Sequence, residues 1–405
     1  MGNAVGAKSN EANDLSIQAA IFDIVPSGML DDITQAVLAR EDVGRYLRGG
    51  HGQSELEARE RIHAYLDELR TTQRYPIYRA LKHPLYPILR KIERIDENVR
   101  IAQEATRRGR TIYISNHKSH LDYLVEPLVI DDNGIRPPVI AAGINLFGGP
   151  LGLIHRHVTG AIPIRRNAKD PAYLVTLKAY VAELLQRHDL LFYIEGGRSY
   201  TGELKSPKTG LLHAAVQAER VDSSILPLAV SYDLVLEDHI LAHQGSKRRQ
   251  RPFAREVAEM VRFAVGYQSR AFVTFGAPIP LDGYDPESRR DVMALAHQIR
   301  DAIGRLYKVL PTAVVAAAMR PSITRRELES RADELIETLQ AAGANMGVED
   351  GRCAVEEAAP LLESRNIIFV ERGGRFRVRE RTVLRYYART LQHLLVGPRR
   401  TPRTH

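Results

Sequence analysis

A histidine and an aspartate stand five positions apart at the end of a predicted strand. The strand TIYIS, starting at Thr111, runs directly into NHKSHLD, which ends at Asp122. In α/β sheets, ligands bind at the carboxyl ends of strands. If a helix starts near Leu121, Asp122 reaches back to one imidazole nitrogen of His117, and the other nitrogen becomes a positioned general base. The spacing alone does not identify a site, because about one such pair is expected by chance among 14 histidines.

A second cluster follows another predicted strand, in residues 190–210 (LLFYIEGGRSYTGELKSPKTG). Its paired glycines allow close approach to a ligand, and its basic side chains suit phosphate. The spacing from Gly197 to Gly202 is not a P-loop, since Glu203 stands where a nucleotide site needs Lys. The cluster predicts an anion site, and a glycine-rich connection with solvated bases is the alternative. Its candidate residues are Glu195, Gly196, Gly197, Arg198, Ser199 and Lys208.

Two further strand-like segments complete the set. The first, GAIPIRR in residues 160–166, ends in Arg165 and Arg166, which a sheet would point to opposite faces, so that one could line a site. The second, ILPLAVSYDLVLE in residues 225–237, contains Pro227, which fits an edge strand or a strand start. Residues 155–157 (HRH) lack a third ligand at a useful spacing, so we predict no metal site.

The elements around these clusters predict an α/β domain with helical flanks. Residues 16–108 have helical periodicity, whereas short β-rich runs alternate with helices further on, including a helix capped by Asp170. Beyond Asp282 the chain is again helical, with Ser322 as a predicted helix cap and a possible winged-helix-like hairpin at Gly373-Gly374. We therefore predict a helical region in 1–108, a mixed-sheet domain in 109–310 and a helical unit in 311–405.

Composition limits the classes of protein and partner. The chain has 405 residues, 44% hydrophobic and 26% charged, which is ordinary globular composition. A lone Cys353 cannot form an internal disulfide. The net charge of +8 favours anionic partners such as nucleic acid, phosphorylated metabolites or anionic lipid. The longest uncharged stretch, residues 138–154, is interrupted by glycines and prolines, so it predicts surface docking or core packing and no transmembrane span.

In this order, the four clusters resemble the four conserved blocks of the glycerol-3-phosphate acyltransferase family, within the phospholipid acyltransferase superfamily. NHKSHLDYL resembles the first block, GAIPIRR the second, YIEGGRSYTGELKSPKTG the third and ILPLAVSYDLVLE the fourth. The third block is the most specific, because lysophosphatidate acyltransferases usually have EGTRS there. Similarity extends over about residues 108–396, and two departures are Lys118 and Tyr200, where Arg is frequent.

The resemblance implies direct acyl transfer from acyl-CoA or acyl-carrier protein to the sn-1 hydroxyl of glycerol 3-phosphate. It implies that His117, oriented by Asp122, is the general base, and that Arg198 and Lys208 hold the phosphate with Arg165 or Arg166 as a second clamp. Glu195 and Gly196 would position the glycerol hydroxyls. No metal or organic cofactor is implied, and Lys205 or Lys208 could replace a missing basic contact at Tyr200.

The resemblance also implies a protein that docks peripherally or monotopically on the cytoplasmic face of the cell membrane, at anionic lipid. The runner-up activity is acylation of dihydroxyacetone phosphate, followed by acylation of lysophosphatidate. From another class, a nucleic-acid-binding protein would use the basic runs 246–252 (SKRRQRP) and 398–405 (PRRTPRTH). Those runs lack interleaved aromatic residues and a recognition motif, so we predict no nucleic-acid partner. Oligomeric state is not predicted.

Overall fold

The computed structural model describes residues 27–49, 54–72, 89, 91–144, 147, 156, 159–218, 223–244, 269–281 and 283–395. Internal contacts divide the chain into two compact units. Unit 1 comprises residues 1–81, 138–190 and 213–221, and unit 2 comprises residues 82–137, 191–212 and 222–405. Because each unit collects separated segments, this division does not test the three successive domains predicted from the sequence, whose boundaries at 108 and 310 stay predictions.

The described residues form helices and strands that alternate along most of the chain. The helices are α1 (Ser27–Ala39), α2 (Glu41–Arg48), α3 (Glu55–Leu69), α4 (Val99–Arg108), α5 (Asp122–Asp132), α6 (Pro171–Leu185), α7 (Gly210–Val216), α8 (Asp238–Gln244), α9 (Arg289–Leu306), α10 (Pro311–Ala318), α11 (Arg325–Ala341), α12 (Gly351–Ser364), α13 (Arg381–Arg389) and α14 (Gln392–Leu395). The strands are β1 (Ile92–Glu97), β2 (Arg110–Ser115), β3 (Val139–Gly143), β4 (Ala161–Ile164), β5 (Leu190–Tyr193), β6 (Ser223–Tyr232), β7 (Ser269–Phe275), β8 (Ile279–Pro280), β9 (Lys308–Val309), β10 (Ser322–Thr324), β11 (Asn345–Met346), β12 (Ile368–Val370) and β13 (Arg375–Val378).

Unit 1 packs helices α3 and α6 against each other and contains the parallel pair β3 and β4. Helix α3 starts at a capping box, in which Ser54 and Glu57 each accept a hydrogen bond from the other's backbone N–H. Of the apolar face that the periodicity predicts, Ile62, Leu66 and Leu69 are buried and Tyr65 is half-buried. Helix α6 is capped by the predicted Asp170, whose carboxylate accepts from the N–H of Ala172 at 3.0 Å.

Unit 2 is built on a mixed sheet in which the strands run in the order β1-β7-β6-β2-β5, with β8 also pairing with β6. Strand β6 is parallel to β2 and antiparallel to β7, and β7 is parallel to β1. In β2, residues 111–115 are all buried, which is typical of a central strand covered on both faces. The predicted α/β class with a mixed sheet is confirmed.

Two sequence predictions about this sheet are wrong. Residues 92–97 were predicted as helix, but they form β1, because pairing with β7 over six residues outweighs local helical preference. Pro227 was predicted at an edge or a strand start, but it lies inside β6, a central strand. It falls between the residues that pair with β8, up to Ile225, and those that pair with β7, from Leu228, so its missing N–H coincides with a change of partner.

The last part of unit 2 combines helices α10 to α13 with a three-stranded antiparallel sheet in the order β10-β13-β12. The predicted hairpin joins β12 to β13, and Gly374 adopts a φ of 74° in its turn, a conformation that favours glycine. The predicted cap at Ser322 is wrong, because Ser322 is paired with Arg377 in the sheet. Helix α11 starts instead from a capping box of Thr324 and Glu327.

Several sequence predictions lie outside the described residues. These are the basic runs at 246–252 and 398–405 and the two histidines that flank Arg156. Of the stretch 138–154, the structure describes residues 138–144 and 147, in which Ile140 is buried in β3 and Ile144 is 41% exposed. Membrane docking therefore stays a prediction. Across the described ranges, no helix combines the length and the apolar character needed to cross a bilayer.

His393 makes the stability of unit 2 depend on pH. Its Nε2 lies 2.9 Å from the carbonyl oxygen of Gly304, and its ring packs edge-on against Tyr307. Burial lowers the pKa of His393 from 6.5 to about 4. The folded state therefore binds fewer protons than the unfolded state between about pH 4 and 6.5, and this contribution to stability is lost as the pH falls through that window.

We expect the His393→Gln variant to lose less stability than the parent on acidification from pH 6.5 to 4. The difference should be about 2 kcal/mol, less than the full shift implies because the ring keeps some solvent exposure. Urea unfolding at several pH values measures it. His297→Gln on α9, where the side chain is exposed, is the matched control. An identical pH slope in His393→Gln and the parent would contradict the assignment.

Candidate active site

The chain leaves β2 through an asparagine that extends the sheet. The side chain of Asn116 donates to the carbonyl of Val230 at 2.9 Å and accepts from the N–H of Val230 at 2.8 Å. This pair of bonds imitates a backbone ladder between β2 and β6. Residue 117 is thereby fixed at the carboxyl edge of the sheet, the edge at which α/β proteins bind ligands.

His117 and Asp122 are in direct contact, as the spacing predicts. Nδ1 of His117 lies 2.9 Å from Oδ2 of Asp122, which is the first residue of helix α5. A carboxylate at this distance holds the N–H on Nδ1, so the lone pair of the ring is on Nε2. Among residues 115–122, His117 is the only one that is not buried. The ring can therefore exchange a proton with a ligand while its partner stays in the interior.

Asp122 is completely buried and receives several hydrogen bonds. Oδ2 accepts from the backbone N–H groups of Lys118 at 2.7 Å and Ser119 at 2.9 Å, and Oδ1 accepts from the hydroxyl of Tyr232 at 2.8 Å. Burial raises the pKa of Asp122 from 3.8 to about 6, although these donors pull it back down. Asp122 is thus ionised near neutral pH, when it orients the imidazole.

The face of the His117 ring is covered by Tyr193, the last residue of β5. The two ring centroids are 4.1 Å apart and the ring planes differ by 13°. A stacked neighbour limits rotation of the imidazole about its side-chain bonds. The contact with Asp122 and the stacking together fix both the edge and the plane of the ring.

Glu195 ties the histidine to the glycine-rich loop. Its Oε1 accepts from the N–H of His117 at 3.0 Å and its Oε2 accepts from the N–H of Lys205 at 3.1 Å. The side chain is 3% exposed, and burial raises the pKa of Glu195. In this structure Glu195 therefore connects two segments of backbone, and its predicted contact with glycerol hydroxyls stays a prediction.

The segment from Gly196 to Lys208 contributes backbone and basic groups next to the loop that carries His117. The ammonium of Lys205 donates to the carbonyls of Gly197, at 2.5 Å, and Arg198, at 2.9 Å. Lys208 is exposed and its side chain crosses Gly196, where an added Cβ would lie 3.0 Å from the lysine Cγ. Of the two lysines considered for anion binding, Lys208 is thus the one that presents its charge to solvent.

Ser199 and Arg198 are buried, unlike Lys208. Ser199 donates its N–H to the carbonyl of His117 at 2.9 Å, and its hydroxyl donates to the carbonyl of Glu203 at 2.7 Å. The guanidinium of Arg198 lies 3.8 Å from Oε1 of Glu237. Glu237 also accepts from the hydroxyl of Ser119 and from a backbone N–H. These contacts bring the third sequence cluster against the first, and the ligand roles of Arg198 and Ser199 stay predictions.

Lys118, which replaces a frequent arginine, is buried. Its Nζ donates to the carbonyl of Gly202 at 2.6 Å and lies 4.7 Å from the centre of the Tyr307 ring, a cation–π contact. Burial lowers the pKa of Lys118 from 10.5 to about 8. The ammonium of Lys118 therefore lies in the interior, where it holds the loop at Gly202.

Arg165 and Arg166 lie in unit 1, whereas the other predicted site residues lie in unit 2. The guanidinium of Arg165 forms a two-pronged ion pair with Glu68 and lies over the rings of Tyr65 and Tyr173. Arg166 is an exposed turn residue. Their role as a second phosphate clamp stays a prediction.

Sequence reasoning missed four residues that lie around the pair. Tyr232 and Glu237 lie within the fourth cluster, but nothing in a strand-like run shows that its polar side chains reach Asp122 and the loop after β2. Tyr193 and Glu126 were also missed, because both belong to apolar segments that read as core. No group of three or more His, Cys, Asp or Glu able to hold a metal ion occurs within the described part of the chain.

Comparison with known proteins bears directly on these residues. The family model described as acyltransferase matches residues 96–231. Residues 96–231 belong to the acyltransferase family. This acyltransferase domain contains all the predicted site residues, and the resemblance predicted from the four clusters is confirmed.

Relatives that are similar to this chain beyond these residues include proteins named glycerol-3-phosphate acyltransferase. That of Aeromonas hydrophila is 29% identical over 84% of this chain and 47% of its own length. That of Actinobacillus succinogenes is 28% identical over 86% and 47%, respectively, and that of Histophilus somni is 33% identical over 57% and 30%. The chain spans about half the length of the relatives it matches.

Among solved structures, the 1-acyl-sn-glycerophosphate acyltransferase of Thermotoga maritima matches 72% of this chain and 95% of its own, at 12% identity and a TM-score of 0.33. A score this low carries no argument about fold or function. The assignment of the acyltransferase domain therefore rests on the family model and on the sequence relatives.

Gly202 allows the loop to pack against helix α13. It adopts a φ of 85°, and an added Cβ would lie 1.9 Å from the carbonyl oxygen of Tyr386. We expect Gly202→Ala to lower the free energy of unfolding by about 3 kcal/mol, from overpacking together with a left-handed backbone. Chemical denaturation measures it. Gly210→Ala, where no atom lies within 4 Å of the added Cβ, should change stability by less than about 1 kcal/mol. Equal stability of the two variants would contradict the packing argument.

Proposed function

We propose that this protein transfers a fatty acyl group from an acyl thioester to the sn-1 hydroxyl of glycerol 3-phosphate, which yields lysophosphatidate. The observation that carries the proposal is the contact of 2.9 Å between His117 and a completely buried Asp122, at the carboxyl edge of the sheet in an acyltransferase-family domain. The names of the relatives support the acceptor.

In the first step, Nε2 of His117 takes the proton from the acceptor hydroxyl as that oxygen attacks the thioester carbonyl. Asp122 keeps the other ring proton on Nδ1 and stabilises the imidazolium that forms. The tetrahedral intermediate then collapses, the carbon–sulfur bond breaks, and the thiolate takes the proton from the imidazolium. His117 returns to its starting form, and no covalent intermediate with the enzyme is needed.

Basic groups of the third cluster support a phosphorylated acceptor. Lys208 is exposed over Gly196, close to the histidine loop through the bonds of Glu195 and Ser199. Arg198 is buried, so its guanidinium would bind a phosphate that reaches the interior of the domain, whereas Lys208 would bind one at the surface. A planar guanidinium binds two phosphate oxygens at once, whereas an ammonium acts as a point charge.

The proposal predicts that His117→Ala lowers kcat by about 1,000-fold, since general-base catalysis contributes about 100- to 10,000-fold. The kcat of Asp122→Asn should fall by a similar factor, because an amide can leave the imidazole in the wrong tautomer. Release of free thiol from palmitoyl-CoA measures turnover, with glycerol 3-phosphate, dihydroxyacetone phosphate and lysophosphatidate as separate acceptors. An acyl-carrier-protein thioester serves as a second donor.

The control for this experiment is His297→Ala, an exposed histidine on α9 in the same unit. It should retain the turnover of the parent, and all variants should still unfold cooperatively on heating. Turnover within about threefold of the parent in His117→Ala contradicts the base, as that factor is far below a general-base contribution. Turnover with dihydroxyacetone phosphate alone would show that this compound, and not glycerol 3-phosphate, is the acceptor. No turnover with any donor and acceptor would contradict the proposed activity.

Arg198→Lys separates binding of the phosphate from chemistry. Lysine keeps the positive charge beside Glu237 but loses the two-pronged geometry, so we expect KM for glycerol 3-phosphate to rise about tenfold with kcat nearly unchanged. Steady-state kinetics with varied acceptor measures both constants. Arg305→Lys, an exposed position on α9, is the control. An unchanged KM in Arg198→Lys would show that this guanidinium does not contact the acceptor.

A further inference from the structure

A second buried carboxyl lies directly behind the His117–Asp122 pair, and the proposed reaction does not use it. Glu126 follows Asp122 by four residues in helix α5, so the two side chains lie on the same face of the helix. Both residues are 0% exposed. A carboxyl group without solvent is expensive to keep in an otherwise apolar helix face, so its position calls for a physical explanation.

The hydrogen-bond partners of the two carboxyls differ in kind. Asp122 accepts from two backbone N–H groups, from Tyr232 and from His117, all of which favour its charged form. In the described structure the hydrogen bonds of Glu126 are with hydroxyl groups, namely Ser115 Oγ and Tyr193 Oη, the latter at 2.9 Å. A hydroxyl can donate to a carboxylate or accept from a protonated carboxyl. The surroundings of Glu126 therefore accommodate the neutral acid.

Two adjacent buried carboxyls do not both ionise easily, because each negative charge disfavours the other. Burial and the charge of Asp122 both raise the pKa of Glu126 well above its usual value. The titratable groups that interact with Glu126 in the described structure are Asp122 on its own helix, Tyr193 from β5 and Tyr232 from β6. His117, from the loop after β2, stacks on Tyr193. None of the cations in the described structure forms a hydrogen bond with Glu126.

Glu126 is also linked to the catalytic ring through Tyr193. The tyrosine hydroxyl meets Glu126 at one end, while the face of the tyrosine ring stacks on His117 at 4.1 Å. A tyrosine ring moves as a rigid body about two side-chain torsions. Fixing its hydroxyl therefore fixes the plane against which the imidazole rests.

We propose that Glu126 is a positioning residue which, as a neutral carboxylic acid, anchors Tyr193 flat against His117 and leaves Asp122 as the single negative charge behind the imidazole. This inference rests on the proposed function, because it assigns Glu126 a part in the same proton transfer. It has a chemical consequence. A second negative charge at this place would stabilise the imidazolium further and retain the proton that the leaving thiolate needs.

The protonation state is tested without any enzyme assay. Infrared spectra of the full chain at pH 7 are compared for the parent and the Glu126→Gln variant. The parent-minus-variant difference should contain the carbonyl stretch of a protonated carboxylic acid, which shifts on exchange into D₂O. The control is Glu104→Gln on α4, an exposed glutamate whose replacement should give no acid carbonyl stretch. A difference spectrum of Glu126→Gln that contains carboxylate bands and no acid carbonyl stretch would overturn the proposal.

The anchoring is tested by NMR of protein labelled with ¹³Cε1-histidine, in which the His117 signal is assigned by its loss in His117→Gln. Stacking on Tyr193 should shift this signal upfield by the ring current. We expect Glu126→Gln to keep the shift, since an amide bonds Tyr193 as a neutral acid does, and Glu126→Ala to lose it. Retention of the shift in Glu126→Ala would contradict the anchoring. If Glu126→Ala does not fold, Tyr193→Phe is measured instead. This variant keeps the ring and removes the hydroxyl, and it too should lose the upfield shift.

Steady-state kinetics of the Glu126 variants distinguish a positioning role from a merely structural one. Glu126→Gln should leave the acid limb of the pH profile of kcat/KM in place, whereas removal of a buried charge would move it by about one pH unit or more. Glu126→Ala should lower kcat about 10- to 100-fold, the cost of a misplaced catalytic group. If the parent itself shows no acyl transfer, the proposed function fails while the infrared and NMR results still decide the state and the contact of Glu126.

Discussion

The arrangement of the site depends on how negative charge is buried at the carboxyl edge of one sheet. The loop that carries His117 places four consecutive backbone N–H groups, those of residues 117 to 120, on three buried carboxyl side chains. Residue 117 donates to Glu195, residues 118 and 119 donate to Asp122, and residue 120 donates to Glu237. Backbone donors stabilise carboxylates without adding a mobile cation, so the loop and the charges stabilise each other.

This mutual stabilisation explains why many polar groups near the histidine form hydrogen bonds within the protein. Glu195, Ser199 and Lys118 each belong to clusters that suggest ligand binding, yet each bonds to backbone of a neighbouring segment. The result is a rigid frame around one partly exposed imidazole. A preorganised frame of this kind lowers the reorganisation needed when charge develops during acyl transfer. The charge that is accessible to a ligand belongs to exposed residues such as Lys208.

The sequence was informative wherever the determining interaction is local. The contact of His117 with Asp122 follows from their spacing at a strand end, and the cap at Asp170 follows from the residue types at a helix start. Errors arose where a distant partner decides the outcome. Pro227 lies in a central strand at the point where that strand changes its pairing from β8 to β7, and Ser322 joins a sheet instead of capping a helix. Tyr232 and Glu126 could not be assigned, since their roles depend on which strands become neighbours.

The hydrogen bonds around the loop also differ greatly in sequence separation. Asp122 is five residues from His117, whereas the bonds from the loop to Glu195, Val230 and Glu237 span 78, 114 and 117 residues. Contacts across long separations form late, because closing a long loop costs entropy before any contact is made. During synthesis, which delivers the amino-terminal part first, the dyad can meet early as a local pair. Its surroundings can close only after β6 and Glu237 have left the ribosome, so the site is completed by the last of its segments to be synthesised.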